Sequence, residues 1–366
     1  MMQLKAIIAY LESVAPLAYQ EDYDNSGLIV GEKNQEISGI LVTLDCLEET
    51  IHEAINSKCN LIVAHHPIVF SGIKQFDNTN YVHRTLQLAI KNDIALYAMH
   101  TNLDNIHQWG VNQKIAEKLG LLNTVILRPK TGMLSKLVTY CPKENQDEIL
   151  EGLFSSGAGH IGNYSECSYT TEGLGTFKPE DGSSPSIGKK GIRSITPEVK
   201  IEVLVPHHLQ SSILSILGEL HPYEEIAYEL YPILNSNQSV GSGVIGMLDS
   251  PLSSEAFLAH LKKSMELQVI KYTPIDKFIQ KVAICGGSGQ FLISDAMRFN
   301  ADAYITSDIK YHSFFDTENH LMLCDVGHYE SEKCTIDLIY DILSEKFSTF
   351  AILKTRIGTN PVKYFL

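Results

Sequence analysis

The sequence predicts an α/β fold. A discontinuous two-half α/β domain, residues 1–126 and 236–366, receives an inserted ferredoxin-like α+β domain over residues 127–235. Three observations lead there. Both ends of the chain alternate helical periodicity with short apolar runs, the βαβ pattern of a parallel or mixed sheet. The middle switches to the order β-α-β-β-α-β, the ferredoxin-like signature. Three apolar runs of the outer parts end in histidines and carboxylates, and in an open α/β sheet ligands gather at the C-terminal ends of strands.

The elements follow in order. The opening Met1-Met2-Gln3-Leu4-Lys5-Ala6-Ile7-Ile8-Ala9-Tyr10-Leu11 is amphipathic and predicts a helix ending near Pro16. Strands are expected around 39–44, 61–64 and 94–99, with a helix over 48–57 between the first two. The second strand closes as Ala64-His65-His66-Pro67, and Pro67 ends its ladder because it has no N–H to give. In the insert, a strand over 134–140 precedes a helix over 145–155 and a Gly/Ser-rich tract, 155–164. Strands near 166–171 and 200–205 and a helix over 208–220 follow, with a Pro- and Gly-bearing loop over 177–191. The ends of an insert must lie close together, which suits this arrangement. The last part repeats the first: strands near 281–285, 303–306 and 321–326, a helical pattern over 291–299, then a helix from 330 to 347.

Composition bounds the function. A chain of 366 residues exceeds one ordinary core, so two or three domains are expected. The net charge of −14 argues against a general nucleic-acid binder, which needs a basic face, but a metal and backbone amides can still hold a nucleotide phosphate. Seven cysteines, an odd number without Cys-x-x-Cys, predict free thiols in a reducing cytoplasm. The start lacks a signal-peptide core, and no apolar stretch reaches the roughly 18 residues of a membrane span.

Chemistry-bearing residues cluster at three strand ends. His65 and His66 close one apolar run, and His100-Thr101-Asn102-Leu103-Asp104 closes another. A third leads into Gly327-His328-Tyr329-Glu330-Ser331-Glu332, where a helix starting at Gly327 puts His328 and Glu332 one turn apart on one face. Imidazoles and carboxylates together suit zinc, iron, cobalt or manganese. Asp104 is also a plausible helix N-cap. Asp24-Asn25-Ser26-Gly27 reads as a turn or as support and substrate contact for the site. Asp308 and His312 stand at i and i+4 if helical, as acid and base, as orienting groups, or as a plain helix start. Cys285-Gly286-Gly287-Ser288-Gly289 reads as a tight βα turn, or as amides for a phosphate. In the insert, His207 and His208 have no carboxylates at ligand spacing and fit a solvated turn. Glu224 and Glu225 face solvent or a neighbouring subunit.

These motifs together resemble the Nif-three-like dinuclear-metal family, the GTP cyclohydrolase type-two homologues. The resemblance rests on Asp24-Asn25-Ser26-Gly27-Leu28, His65-His66-Pro67, the run His100 to Asp104, Asp308-Ile309-Lys310-Tyr311-His312 and the run Gly327 to Glu332, and it covers almost the whole chain. The insert, with Gly157-Ala158-Gly159-His160-Ile161-Gly162 and His221-Pro222-Tyr223-Glu224-Glu225, is similar to the PII/CutA-like domain of longer bacterial members. The resemblance implies two divalent transition-metal ions per subunit, zinc first, with iron, cobalt and manganese as alternatives. It implies that Asp104 joins His66 on one ion, that His328 joins His65 on the other, and that Glu332 bridges both. It also implies a homohexamer. The chain departs from the pattern at Ser307, where a glycine is usual, and at Val362, where an aromatic is common. The expected activity is metal-dependent hydrolysis of a nucleotide or related phosphorylated small molecule, with His312 or Asp308 carrying protons. The alternative is a metal-dependent regulatory protein whose insert binds a small effector.

Overall fold

A computed structural model describes residues 2–365. The chain forms two compact units, one of residues 1–129 with 239–366, the other of residues 130–238. The expected junctions at 126/127 and 235/236 lie three residues earlier. The strands Leu122–Lys130 and Asn237–Leu252 run through the junctions and join a sheet of the larger unit.

The larger unit holds a five-stranded and a six-stranded sheet. The first runs in the order Ile352–Lys354, Ile40–Thr43, Leu61–Ala64, Ala95–Ala98, Gly27–Val30. Its first four strands are parallel and the last is antiparallel. Every residue of Ile40–Thr43, Leu61–Ala64 and Ala95–Ala98 is buried, as expected of parallel strands covered on both faces. Helices Glu48–Asn56 and Tyr81–Lys91 pack Ile51, Ala54, Leu86 and Ala89 onto Ile62 and Leu96. The Asn80 side chain caps the second helix by accepting the His83 N–H at 2.9 Å.

The six-stranded sheet runs Lys271–Tyr272, Met322–Asp325, Ala303–Ser307, Ile279–Ser288, Asn237–Leu252, Leu122–Lys130. Its three strands Ile279–Ser288, Ala303–Ser307 and Met322–Asp325 are mutually parallel. The short helix His328–Glu332 follows the last of them directly. The expected single helix over 330–347 is in fact two, His328–Glu332 and Thr335–Lys346. The break lets the first bury Ser331 and Glu332 while the second buries Leu338, Ile339, Ile342 and Leu343. No α-helix joins Asp308 to His312. Asp308 has φ +57°, and a 3-10 turn, Tyr311–Thr317, follows.

The smaller unit is an antiparallel sheet in the order Tyr228–Pro232, Leu134–Cys141, Ser194–Pro206, Ser168–Phe177, with helices Gln146–Ser155 and Gln210–Leu220. In chain order this is β-α-β-β-α-β. Val199, Ile201, Val203 and Val205 alternate into a core with Ile149, Leu153, Ile213 and Leu217. The strand Ser168–Phe177 is longer than its expected span of 166–171. It is an edge strand with mostly exposed residues, so it has no apolar alternation to read.

Candidate metal centre

The site lies within the larger unit, where C-terminal ends of parallel strands from both sheets meet. His65 and His66 leave the strand Leu61–Ala64, and His100 follows the strand Ala95–Ala98. His328 and Glu332 come from the helix behind Met322–Asp325. Each of the four imidazoles is held through Nδ1. His65 Nδ1 donates to the Met99 carbonyl at 2.7 Å, His66 Nδ1 to Asp45 at 2.7 Å, His100 Nδ1 to Asp24 at 2.7 Å and His328 Nδ1 to Asp308 at 2.6 Å. A carbonyl or carboxylate oxygen only accepts, so Nδ1 carries the proton and Nε2 is left as the ligand nitrogen.

The Nε2 atoms of His65, His66 and His328 converge on Glu332. His66 Nε2 lies 2.9 Å and His328 Nε2 3.0 Å from Glu332 Oε2, and the two nitrogens are 3.4 Å apart. On the other oxygen, His65 Nε2 lies 3.8 Å from Glu332 Oε1 and 3.7 Å from Asp104 Oδ1. The groups His65–Asp104–Glu332, His66–His328–Glu332 and His65–His66–His100 each bring three ligand atoms within 4.8 Å of one another. This grouping differs from the one the resemblance implies: Asp104 sits with His65, and His328 with His66. Which strand end meets which carboxylate is a tertiary fact that motif order does not carry.

The donor set fits a cation. His65 Nε2 and Asp104 Oδ1 are buried without a hydrogen-bond partner. Leaving such atoms unpaired costs about 1–3 kcal/mol each, which a shared divalent ion would remove. Without an ion the cluster divides protons unevenly. Burial pushes the Asp104 carboxyl well up, and the Glu332 charge pushes it further. Glu332 is buried as well, yet the His328, His65 and His66 imidazoles around it hold it well below the usual carboxylate range. Burial pulls His65 down to about 4. Burial also opposes protonation of His66, but Asp45 and Glu332 outweigh it and carry the imidazole up to about 10. Glu332 and then Asp308 lift His328 to about 9 against burial.

A glycine makes room for the Glu332 carboxylate. Gly287 has φ +62°, and a Cβ there would stand 2.2 Å from Glu332 Oε1. Its N–H donates to Ser331 Oγ at 2.9 Å, and its carbonyl accepts from Ser307 Oγ at 2.6 Å. The Gly286-Gly287 pair thus ends a strand and cradles Glu332, rather than opening a phosphate-binding helix. Ser307, in the position where a glycine is usual, contributes a buried hydroxyl to the same cradle.

Other expected residues fall on both sides of the boundary. Asp24 supports His100 and also accepts the Thr101 N–H at 3.0 Å, and these bonds hold its carboxyl well below the usual range against burial. Asp308 lines the cavity and supports His328. His312 does not join the site. It is exposed on the Tyr311–Thr317 turn among Tyr311 and Phe315, and it does not line the cavity. In the smaller unit, His207 Nε2 bonds Ser135 Oγ at 2.9 Å and His221 Nε2 donates to the Tyr140 carbonyl at 2.9 Å. No ligand group forms there among the described residues. His100 and Asp45 were not among the expected ligands and supports. The one sequence signal for His100 is its place at a strand end, four residues before Asp104.

The cluster floors a cavity of about 740 Å³ that also takes in Asp45, Lys271, Glu330 and the terminal Asn360, Pro361 and Tyr364. Asn360 Nδ2 and the Tyr364 hydroxyl donate to Glu330 at 3.0 and 3.2 Å, and Thr359 Oγ1 donates to Asp45 at 2.5 Å. The C-terminal segment is therefore tied both to the wall and to the carboxylate that holds His66.

Fold and donor set define an α/β protein with residue groups that could hold a metal ion. A family model described as Duf34/NIF3 (NGG1p interacting factor 3) matches residues 2–361, and the chain belongs to that family. A Bacillus subtilis protein named GTP cyclohydrolase 1 type 2 homolog is 38% identical over 326 residues, covering 88% of this chain and 87% of the relative. A Staphylococcus epidermidis protein of the same name is 32% identical over 369 residues, covering 99% and 100%. The solved structure of a Bacillus cereus protein related to NIF3 is 34% identical, with a TM-score of 0.88 over 100% of this chain and 99% of that one.

Proposed function

We propose that the chain is a dinuclear-metal hydrolase acting on a nucleotide or related phosphorylated small molecule. The observation that carries the reading is the set of four imidazoles, each fixed through Nδ1, of which His65, His66 and His328 bring Nε2 to Glu332 and His65 also to Asp104, with His100 beside His65 and His66. One ion would be held by His65 and Asp104 and the other by His66 and His328, with Glu332 across both and His100 as a further ligand. Zinc is the first expectation, and the same donors suit iron, cobalt and manganese. Bound there, two divalent ions would acidify a water and clamp the oxygens of a phosphate or carbonyl. The residues themselves orient and exclude: Asp45, Asp24 and Asp308 hold the rings, and Glu332 is kept ionised by its three imidazole neighbours. Asp308 lines the cavity itself as well as holding His328 Nδ1, and is the carboxylate placed to take a proton directly from a bound molecule.

The smaller unit supports a regulatory reading beside this one. Its β-α-β-β-α-β order supports a PII/CutA-like module that binds an effector, and such modules sense rather than catalyse. The seven free cysteines favour a reducing cytoplasm, and no helix of the described residues is long and apolar enough to cross a membrane. Self-association as a hexamer is kept from the family resemblance, and light scattering showing a monomer would remove it. The deciding experiment follows metal-loaded protein against nucleotides and generic phosphoesters. Metal-dependent turnover lost in Glu332→Gln supports the hydrolase. Binding without turnover of any of them puts the regulatory reading first.

A further inference from the structure

The charge of the cavity wall narrows the ligand. Beside the two ligand carboxylates, Glu21, Asp45, Asp308, Asp325 and Glu330 line it. Among the described residues that line it, Lys271 is the one lysine or arginine, and it is already paired with the buried Asp325 at 2.6 Å. Two divalent ions and Lys271 together bring five positive charges against seven carboxylates, so even the metal-loaded wall stays negative. A triphosphate chain would enter this wall with several further negative charges and find no free cation beyond the metals. The net charge of −14 adds to the repulsion.

The rim offers something else. Tyr23, Phe70, Tyr81 and Phe291 line the cavity and are each more than half exposed. Large apolar rings left in water at the mouth of a polar cleft suit a flat partner, since ring pairs gain from offset or edge contacts at 4.5–7 Å. Phe70 already meets the His100 ring edge-on at 5.7 Å, so one of these rings reaches the metal end of the cavity.

We propose that the cavity takes a flat ring compound bearing no more than one phosphate or carboxylate, which sits at the metals, and that it disfavours nucleoside triphosphates. This rests on the metal reading above and sharpens its substrate class. The single anionic group supplies the metal contact, the ring lies among the rim aromatics, and the carboxylate wall selects against longer phosphate chains.

The test is calorimetric titration of metal-loaded, full-length protein with the four common nucleoside monophosphates, their triphosphates and inorganic phosphate, with metal content measured before and after. At least one monophosphate should bind tenfold or more tightly than its triphosphate and than phosphate alone. Glu21→Gln, which keeps the oxygen that accepts from Asn105, should narrow the gap between mono- and triphosphate. Tyr81→Ala with Phe70→Ala should weaken the monophosphate at least fivefold and leave inorganic phosphate unchanged. Triphosphates binding as well as monophosphates, no binding by any monophosphate, or a double variant that binds normally would each overturn the proposal. A protein that holds no metal would sink the metal reading as well, whereas metal retained with a triphosphate preferred sinks this inference alone.

Discussion

Gly287→Ala tests the proposed bridging role of Glu332 without replacing any of the proposed ligands. The added Cβ would stand 2.2 Å from Glu332 Oε1, and real Cβ contacts begin at about 3.0–3.4 Å, so the carboxylate must move by about 1 Å. Alanine at φ +62° adds about 1–2 kcal/mol of backbone strain. Metal–ligand distances hold to within about 0.2 Å, so a shift of this size would take Glu332 off at least one ion of the proposed centre. The expected result is a loss of at least 10–100-fold in affinity, the range seen when groups that position ligands are lost. Gly286→Ala is the control. Its Cβ would meet Ile115 Cδ1 at 3.2 Å and Val111 Cγ1 at 3.3 Å, the ends of side chains that can yield. Competition against a chromophoric chelator reads both variants, and circular dichroism confirms that they fold. Gly287→Ala holding both ions with the affinity of the unchanged protein would refute the bridging role of Glu332.

Other outcomes follow from the same geometry. Asp45→Asn should lower metal affinity about 10–100-fold by loosening His66, while His312→Ala, remote from the cavity, should leave metal content and turnover unchanged; the reverse pattern would restore His312 to the site. Metal binding should release protons, because His66 and His328 sit at about 10 and about 9 without an ion and Asp104 is raised. Affinity should therefore climb from pH 6 to 9, read by calorimetry in buffers of different ionisation enthalpy; a pH-independent affinity would contradict the shared-proton cluster. In the metal-free protein these two histidines, raised above an ordinary 6.5, stabilise the fold fully below that value and lose the contribution as pH rises through 9 to 10. Chemical unfolding of metal-free protein should show that decline, and no change on His66→Gln would count against it.

Much of the fold and site is legible in local sequence. Leu61-Ile62-Val63-Ala64 followed by His65-His66-Pro67 announces a buried strand ending in polar groups, because burial pattern, ladder stop and residue type all lie within seven positions. His328 and Glu332 share a helix turn for the same reason. What local sequence hides is set by distance along the chain. The Asp24–His100 bond spans 76 residues and Asp45–His66 spans 21, so neither support can be read from spacing. Which histidine lies nearest Asp104 and which nearest His328 is hidden for the same reason, since the two sheets bring together residues 262 and more apart. The pairing of Asp308 with His312 fails for a local reason: an aspartate in the left-handed region breaks the helical spacing that would have put them on one face, so Asp308 reaches the site and His312 does not.

The most direct test of the central claim is metal stoichiometry with site assignment. Elemental analysis of protein purified without added chelator should give two transition-metal equivalents per chain. Anomalous diffraction at the metal edge should find one ion between His65 and Asp104 and the other between His66 and His328, both touching Glu332. His65→Ala/Glu332→Ala should then hold neither at full affinity. A single ion, or two ions bound away from Glu332, would contradict the account.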